Sequence, residues 1–283
     1  MFVNAIKRVS QYTRPIYFVE RTYLDNKLNN GSATMFFVNE EGVAITCKHV
    51  AVAIIDSIKL NTNYANFKKE REVFDLETCE KKFNYTKGKV VERIFNYPNS
   101  VNNSTSITCI LHPKYDLAII KFNDFESINY QGYATFSKNE VNQGELVCKV
   151  GFPFPEFTNF EYNKLRDTVE FNSSGNIQTP LFPLEGMVTR FIKDESQLFA
   201  IETSTPGLKG QSGGPLFDKN GDIIGIQSLT RHLHLGFDIE NKEVKANDGQ
   251  LKSVSNYPFI NLGVSVHMNI IKQFLKENNI KFY

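Results

Sequence analysis

Short runs rich in Val, Ile, Thr and Phe recur along the chain, and turns made of Asn, Asp and Gly separate them. β-Branched and aromatic residues favour strands, whereas these small polar residues favour turns. The runs that we predict to be strands are SATMFFV, VAITCKHV, DLAIIKF, ELVCKVGF, EGMVTRFI, QLFAIETS, DIIGIQSLT and LGVSVHM. The pattern predicts an all-β body, in which the first two runs form a hairpin across the turn NEEG.

Helical patterns are expected at the two ends of the chain. A short helix is predicted over residues 2–12. A second is predicted in MNIIKQFLKENN, with Asn269 as its cap and an apolar face made of Ile270, Ile271, Phe274 and Leu275. The fold is therefore expected to be a β body that ends in a C-terminal α-helix.

The length of the chain and a shift in its composition bear on the number of lobes. At 283 residues the chain can form one large domain or two small lobes. The composition changes over residues 122–142, which we interpret as the link between an N-terminal lobe (1–130) and a C-terminal lobe (131–283). Two long polar insertions, 59–106 and 231–261, interrupt the strand pattern.

Charge and cysteine content restrict the class of protein. The net charge is +1, and the basic run near Lys68 is interleaved with acids, so nucleic-acid binding is not expected. No run approaches the roughly 18 apolar residues of a membrane span, and charged residues break the N-terminal stretch, so neither a membrane segment nor a secretory signal is expected. The four cysteines form no CxxC pair and are interpreted as reduced thiols of a cytoplasmic protein, with two long-range disulfides left open.

Ser212 lies among three glycines in GQSGGP, directly before a predicted strand. Glycines on both sides let the backbone approach another group closely and adopt angles that other residues resist. The motif by itself allows a tight turn, an anion-binding nest or a nucleophile. A serine hydroxyl is a poor nucleophile at neutral pH, so a nucleophilic Ser212 needs a histidine base and a group that orients it.

His49 and Asp116 are the candidates for those two roles. His49 ends the predicted strand VAITCKHV, where we expect a turn, and Asp116 precedes the run of DLAIIKF. The order His49, Asp116, Ser212 is one of the orders in which hydrolase triads occur along a chain.

The stretches TCKHV, HPKYDLAII and GQSGGPLFDKNGDIIGI resemble the three signatures of chymotrypsin-like serine proteases of the trypsin superfamily. They look closest to bacterial, disulfide-free members without a PDZ domain. The resemblance implies a double six-stranded β-barrel. It also implies a Ser212 nucleophile, a His49 general base, an orienting Asp116 and an oxyanion hole formed by the N–H groups of Gly210 and Ser212. Ser228 matches a serine that supports the triad carboxylate, although a solvent-facing strand serine fits the sequence equally well.

The chain departs from relatives of the zymogen type at Gln211. In those relatives an acid precedes the nucleophile and pairs with a new N-terminal amine, a route that Gln211 is expected to close.

In the primary pocket, the resemblance places Pro206 at the base and Thr230 and Gly263 on the walls. Without an acid at the base, cleavage after Lys or Arg is disfavoured, unless Asp238 or Glu240 folds back from the 231–261 insertion. Thr230 should narrow the pocket and favour a small or medium apolar P1 side chain.

The remaining candidates for chemistry receive plainer interpretations. His232 and His234 form an HxH pair without a partner at ligand spacing, so no metal and no cofactor are expected. His112 is interpreted as a strand-entry residue, and Cys47 as a small core residue.

The function predicted from these residues is that of a serine endopeptidase that cleaves a protein or peptide substrate through an acyl-enzyme. Two alternatives stay open: a catalytically silent binding or scaffold module with the same fold, and an esterase-like acyl hydrolase. The resemblance to bacterial proteases also raises a role in stress or antiviral defence, with a dedicated substrate and an activating partner protein.

Overall fold

The computed structural model describes residues 2–195, 197–233, 239, 241–246, 249–255 and 260–283. Four helices lie at Val3–Ser10 (α1), Lys48–Glu70 (α2), Leu76–Phe83 (α3) and Met268–Glu277 (α4). The strands of the N-terminal half are Thr13–Thr22 (β1), Leu28–Phe37 (β2), Val43–Thr46 (β3), Val90–Asn96 (β4), Val101–Asn102 (β5), Ser106–Leu111 (β6), Ala118–Asn123 (β7) and Ser127–Ile128 (β8). Those of the C-terminal half are Leu146–Gly151 (β9), Phe160–Asn163 (β10), Thr168–Phe171 (β11), Phe182–Asp194 (β12), Gln197–Thr203 (β13), Pro215–Phe217 (β14), Ile223–Leu233 (β15), Lys242–Lys245 (β16), Leu251–Val254 (β17) and Ile260–His267 (β18).

Two β bodies make up the fold. The first, which we call the N-terminal sheet, has six strands in the order β4-β1-β2-β3-β7-β6. The second, the C-terminal barrel, is closed in the order β12-β13-β18-β15-β14-β9. With α4 at the C-terminal end, this architecture confirms the prediction of an all-β, chymotrypsin-like fold.

The predicted hairpin across NEEG is present, but it is shorter than the sequence pattern indicates. β2 pairs with β3 through Phe36 and Ile45, and Val38 N–H donates to the carbonyl of Val43. β3 ends at Thr46, and helix α2 begins at Lys48. The expectation that a strand runs through VAITCKHV to His49 and then turns was therefore wrong.

The second half of α2 and all of α3 lie in the segment 59–106, which the sequence analysis treated as a polar insertion. The residues that α2 buries recur at the three-, four- and seven-residue spacings of one helix face, and they are Val50, Ala51, Ile54, Ser57, Tyr64 and Phe67. This face packs against β4, β6 and β7. This buried face is narrow and contains a serine, so the helical pattern in the sequence is weak. The first residues of the helix also belong to an apolar run with β-branched residues, and such a run favoured the interpretation as a strand.

One hydrophobic core extends across both β bodies. It includes Ile45 and Ile119 from the N-terminal sheet, Phe217 and Ile226 from the C-terminal barrel, and Phe274 from α4. Fully burying an apolar side chain of this size stabilises the fold by about 1.5–3 kcal/mol. The division of the chain into lobes 1–130 and 131–283 stays a prediction.

The terminal helices fix the barrel from outside. The Phe2 ring meets Phe217 edge-on, with centroids 6.2 Å apart, and Arg8 pairs with Asp222 at 3.0 Å. α4 begins one residue earlier than its expected cap, because the ring nitrogen Nδ1 of His267 accepts from Asn269 N–H at 3.1 Å. The cap is therefore His267, and the prediction of an Asn269 cap was wrong.

The structure also bears on the predictions about the cysteines and about a membrane segment. All four cysteines lie within the described residues and are free thiols. Among those residues, no helix combines the length and apolar character needed to cross a membrane.

Candidate active site

His49 follows strand β3 and Asp116 precedes the neighbouring strand β7, so both residues lie at the same end of the N-terminal sheet. Thr46, the last residue of β3, pairs with Ala118, the first residue of β7. The chain passes from β3 into the first turn of α2, which contains His49, while Asp116 lies two residues before β7. This register places His49 Nδ1 3.0 Å from each carboxylate oxygen of Asp116, and the backbone N–H of His49 donates to Oδ1 at 3.0 Å.

Asp116 is held as a carboxylate. Partial burial raises its pKa, but hydrogen bonds from the His49 ring, the Ser228 hydroxyl and the His49 backbone outweigh burial and lower the pKa to about 2. The imidazole of His49 is 54% exposed and the Asp116 side chain 28% exposed. The histidine is therefore oriented by a partly buried charge on one side and open to solvent on the other.

Ser228 joins the two β bodies at this site. It lies on β15 of the C-terminal barrel, and its hydroxyl donates to Asp116 Oδ2 at 2.5 Å. The residue is 6% exposed, so the description as a solvent-facing strand serine does not fit it. Its carbonyl oxygen lies 3.4 Å from the Ser212 hydroxyl, which donates a long hydrogen bond to it. Ser212, Ser228, Asp116 and His49 thus form one connected polar group.

Glycines shape the backbone around Ser212. Gly210 has φ +97°, and a Cβ added there would lie 2.5 Å from the carbonyl oxygen of Phe152. Gly213 has φ +88°, and its added Cβ would lie 2.0 Å from the carbonyl oxygen of Thr34. Only glycine fits both conditions at these positions.

The N–H groups of Gly210 and Ser212 have no acceptor among the described residues. Two unpaired backbone donors beside a serine hydroxyl are the groups that could stabilise a developing oxyanion.

A cleft of about 420 Å³ opens beside Ser212. Pro206 and Thr230, two of the three predicted pocket residues, line it. Its remaining lining residues are Gly207, Leu208, Lys209, Ser212, Gln227, Ser228, Leu229, His232 and Asn261, and none of the described lining residues is acidic. Gly263, the third predicted pocket residue, does not line the cleft.

Thr230 connects the two walls of the cleft. Its hydroxyl accepts from Gly207 N–H at 2.9 Å and donates to the Gly207 carbonyl at 2.7 Å. The Thr230 side chain thus joins the two segments that line the cleft, 206–209 and 227–232. Asp238 and Glu240, the acids proposed to fold back, and His234 of the HxH pair lie outside the described residues.

A buried lysine lies behind the cleft, and the sequence analysis missed it. Lys149 Nζ donates to Thr205 O at 2.8 Å, to Gln227 Oε1 at 3.0 Å and to Thr203 Oγ1 at 3.3 Å. Burial lowers its pKa to about 7. An added Cβ on Gly263 would lie 2.4 Å from this ammonium, so Gly263 makes room for the lysine. A lysine inside the apolar run ELVCKVGF is the sequence signal that could have revealed it.

Cys47, His49 and Asp116 are the described residues whose ligand atoms could hold a metal, since these atoms lie within 4.8 Å of one another. Burial, with the charge of Asp116, raises the pKa of the Cys47 thiol. The thiol also donates to the Gln227 carbonyl at 3.1 Å. Because metals bind the thiolate, a buried thiol that stays protonated is a poor ligand, and Cys47 acts here as a packing residue.

Two other histidines are explained by local structure. His112 Nδ1 accepts from Lys114 N–H and Tyr115 N–H, and its ring meets Phe274 with centroids 4.9 Å apart. His232 Nδ1 contacts Asn261 Oδ1 at the cleft.

The family model described as "Trypsin-like peptidase domain" matches residues 31–226. The chain belongs to this family. The family match supports a serine protease. The matched range contains the candidates His49, Asp116 and Ser212.

Solved structures give the same fold. The trypsin-like peptidase resembles the HtrA-type protease AlgW with a decapeptide, at a TM-score of 0.52 and 14% identity over 98% of this chain and 66% of that one. An AlgW variant with a decapeptide gives a TM-score of 0.51 and 13% identity over 99% of this chain and 68% of that one. The trypsin-like peptidase thus spans about two thirds of the length of these structures. The similarity at this identity concerns the fold.

Proposed function

We propose that this trypsin-like peptidase is an endopeptidase that cleaves protein or peptide substrates through an acyl-enzyme at Ser212. The observation that carries the proposal is the environment of Asp116. Its carboxylate receives hydrogen bonds from the ring and backbone of His49 and from Ser228, whose carbonyl contacts Ser212. A surface histidine without a functional role needs no such set of contacts.

His49 is proposed as the general base. When Nδ1–H donates to Asp116, the neutral ring carries its lone pair on Nε2, which can accept the Ser212 proton. In the structure the Ser212 hydroxyl donates a long hydrogen bond to the Ser228 carbonyl and makes no hydrogen bond to His49. Catalytic contacts that are long or unformed in a free enzyme often form only in the substrate complex.

The proposed reaction has two stages. In the first, Ser212 Oγ bonds to the substrate carbonyl carbon while its proton passes to His49 Nε2. The C–N bond then breaks, and His49 returns that proton to the leaving amine. In the second, water attacks the acyl-enzyme, with His49 again taking and returning one proton. Gly210 N–H and Ser212 N–H are the proposed donors to the oxyanion.

We propose that the cleft binds a small or medium apolar P1 side chain. The Thr230–Gly207 bridge restricts its length. Lys209 lines the cleft and none of its described lining residues is acidic, so a Lys or Arg side chain would meet like charge and find no counter-ion. We also propose a dedicated protein substrate and an activating partner in a bacterial stress or defence response. This proposal would be tested by seeking a host protein that is cleaved only when Ser212 is intact.

The test of the proposed chemistry is labelling by a fluorophosphonate probe, in which Ser212 Oγ bonds to phosphorus and fluoride leaves. Wild-type protein should be labelled, whereas Ser212→Ala and His49→Ala should not. Hydrolysis of a matched peptide and ester then separates an endopeptidase from an esterase. A wild-type chain that remains unlabelled, also with candidate activators, would favour the silent scaffold.

A further inference from the structure

The segment Leu208–Gly210, which we call the oxyanion loop, needs support from its surroundings. An oxyanion hole accelerates a reaction only when its donors are already aimed at the oxygen that will carry the charge. Gly210 N–H makes no hydrogen bond among the described residues, so it contributes nothing to holding its own loop. The loop must be fixed by other groups.

The side chain of Gln211 contacts the beginning of this loop. Its Oε1 accepts from Leu208 N–H at 3.0 Å, while its backbone N–H donates to the Leu208 carbonyl at 2.9 Å. Its Nε2 donates to the carbonyl of Phe182, the first residue of β12, at 3.2 Å. Both ends of the amide are therefore used, and they connect the oxyanion loop to the C-terminal barrel.

Thr34 of β2 holds the end of the same loop. Its hydroxyl donates to the Gly210 carbonyl at 2.8 Å, and its N–H donates to the Ser212 carbonyl at 2.9 Å. The two carbonyls that flank Gln211 are thus fixed by the N-terminal sheet. Gln211 and Thr34 are both 0% exposed, so water does not compete for these hydrogen bonds.

The hydrogen-bond partners of the Gln211 side chain among the described residues are uncharged, and its close neighbour Gly151 is uncharged as well. These groups are Leu208 N–H, the Phe182 carbonyl and Gly151, whose added Cβ would lie 3.1 Å from Gln211 Cγ. A buried acid at this position would need a cation to offset its desolvation, whereas a neutral amide needs only the two hydrogen bonds it has.

We propose that Gln211 is a positioning residue: its neutral amide, together with the Thr34 hydroxyl, holds the oxyanion loop ready for reaction without an acid–amine ion pair. This inference rests on the proposed function. It assigns to an internal amide the task that zymogen-type relatives give to a newly released amine, so the loop depends on no charge at this position.

The first test compares Gln211→Met with wild-type protein. Methionine keeps the length of the side chain and removes both hydrogen bonds. We expect fluorophosphonate labelling of Ser212 to slow by about 10²-fold, the usual effect of losing one oxyanion donor. With a peptide substrate, kcat should fall far more than KM rises. The matched control is Gln143→Met at an exposed glutamine that donates to Thr189 O, and it should label at the wild-type rate.

A second variant covers the case in which Gln211→Met does not fold. In Gln211→Glu the protonated acid can make both hydrogen bonds, whereas the ionised acid cannot donate to the Phe182 carbonyl and is poorly solvated. The labelling rate of Gln211→Glu relative to wild-type should therefore fall as pH rises. Any pH dependence that the two proteins share cancels in this ratio.

Wild-type labelling rates in Gln211→Met, or a ratio for Gln211→Glu that does not change with pH, would overturn the inference. Absence of labelling in wild-type protein, also in the presence of the candidate activators, would instead contradict the proposed function, on which the inference depends. The two failures are therefore distinguishable in one experiment.

Discussion

The N-terminal sheet and the C-terminal barrel cover their edges in different ways. The barrel closes on itself, so each of its described strands pairs with a neighbour on both sides and none of them is an edge strand. In the sheet, β4 and β6 are the end strands within the described residues, and helix α2 packs against both of them. An open edge needs such a cover because unpaired strand groups are otherwise exposed. The helix that covers the end strands of the sheet is therefore also the element that carries His49.

The two bodies also hold their catalytic candidates by different forces. The sheet side relies on charge, since Asp116 orients His49 as a carboxylate with a pKa lowered to about 2. The barrel side relies on neutral hydrogen bonds, as Gln211 and the backbone around Ser212 show. Substitutions and pH should therefore affect the two sides differently.

The largest expected effect is that of Asp116→Asn, which removes the charge but keeps the shape. An amide no longer selects the imidazole tautomer that leaves Nε2 free, so kcat for a peptide substrate should fall by about 10⁴-fold. Ser228→Ala, which removes one of the donors to the carboxylate, serves as the comparison. A similar loss in both variants would contradict the dependence of the sheet side on charge.

Arg21→Met should produce the next largest effect, on stability. Arg21 is 1% exposed, lies 2.8 Å from Glu92 and 3.1 Å from Asp167, and contacts the rings of Tyr64 and Tyr162 at 4.7 and 4.9 Å. Removing it leaves buried Glu92 unpaired, which should lower the free energy of unfolding by about 3–5 kcal/mol.

Urea unfolding would measure this loss. The control is Lys81→Met in the exposed pair of Lys81 and Glu77, where the loss should not exceed about 1 kcal/mol. The contacts of Arg21 connect α2 to the β10–β11 hairpin. Equal losses of unfolding free energy in Arg21→Met and Lys81→Met would show that these buried contacts stabilise the protein no more than an exposed ion pair does.

His267 should make the barrel side sensitive to mild acid. Burial lowers its pKa from 6.5 to about 4, so the unfolded chain binds a proton more readily between these values. The stability linked to His267 is complete above pH 6.5 and decreases as pH falls to about 4, by a total of about 3 kcal/mol. The Asp116 contribution is lost only lower, between its ordinary pKa of 3.8 and about 2.

His267→Asn separates these two contributions. Asparagine caps a helix without titrating in this range. Urea unfolding at pH 7.5 and pH 4.5 should show a smaller loss of stability in the variant than in wild-type protein. Equal losses in both would exclude His267 as the source.

The smallest expected effect concerns the cleft. Thr230→Ala removes the bridge to Gly207, so kcat/KM for a substrate with Phe at P1, relative to Ala at P1, should rise by about tenfold or more. Thr230→Ser keeps the hydroxyl and should retain the preference. A P1 profile that stays unchanged in Thr230→Ala would show that the bridge does not limit the pocket.

Sequence reasoning predicted features that depend on neighbouring residues. The fold class, the NEEG hairpin and α4 follow from local patterns of apolar and turn residues. The glycines around Ser212 identified the loop whose backbone comes close to Thr34, because so close an approach requires residues without a Cβ.

Features that depend on distant partners were not predictable in the same way. α2 was missed because its stabilising contacts are with β4, β6 and β7, not within the helix. The role of Gln211 depends on the Phe182 carbonyl, 29 residues earlier in the chain. The position of Lys149 behind the cleft was not predictable either, because the groups that accept its hydrogen bonds, on Thr205 and Gln227, are distant in the sequence.

The hydrogen bond from His49 N–H to Asp116 has a consequence for how this protein can evolve. Cys47 supplies no side-chain cap for α2, so the Asp116 carboxylate satisfies a backbone donor of the first helical turn and faces the positive end of the helix. A lineage that abandons catalysis can replace Ser212 without disturbing the start of this helix, but replacing Asp116 with an apolar residue would leave a donor unpaired. We therefore expect inactive descendants of such a chain to lose the serine first and to retain the acid.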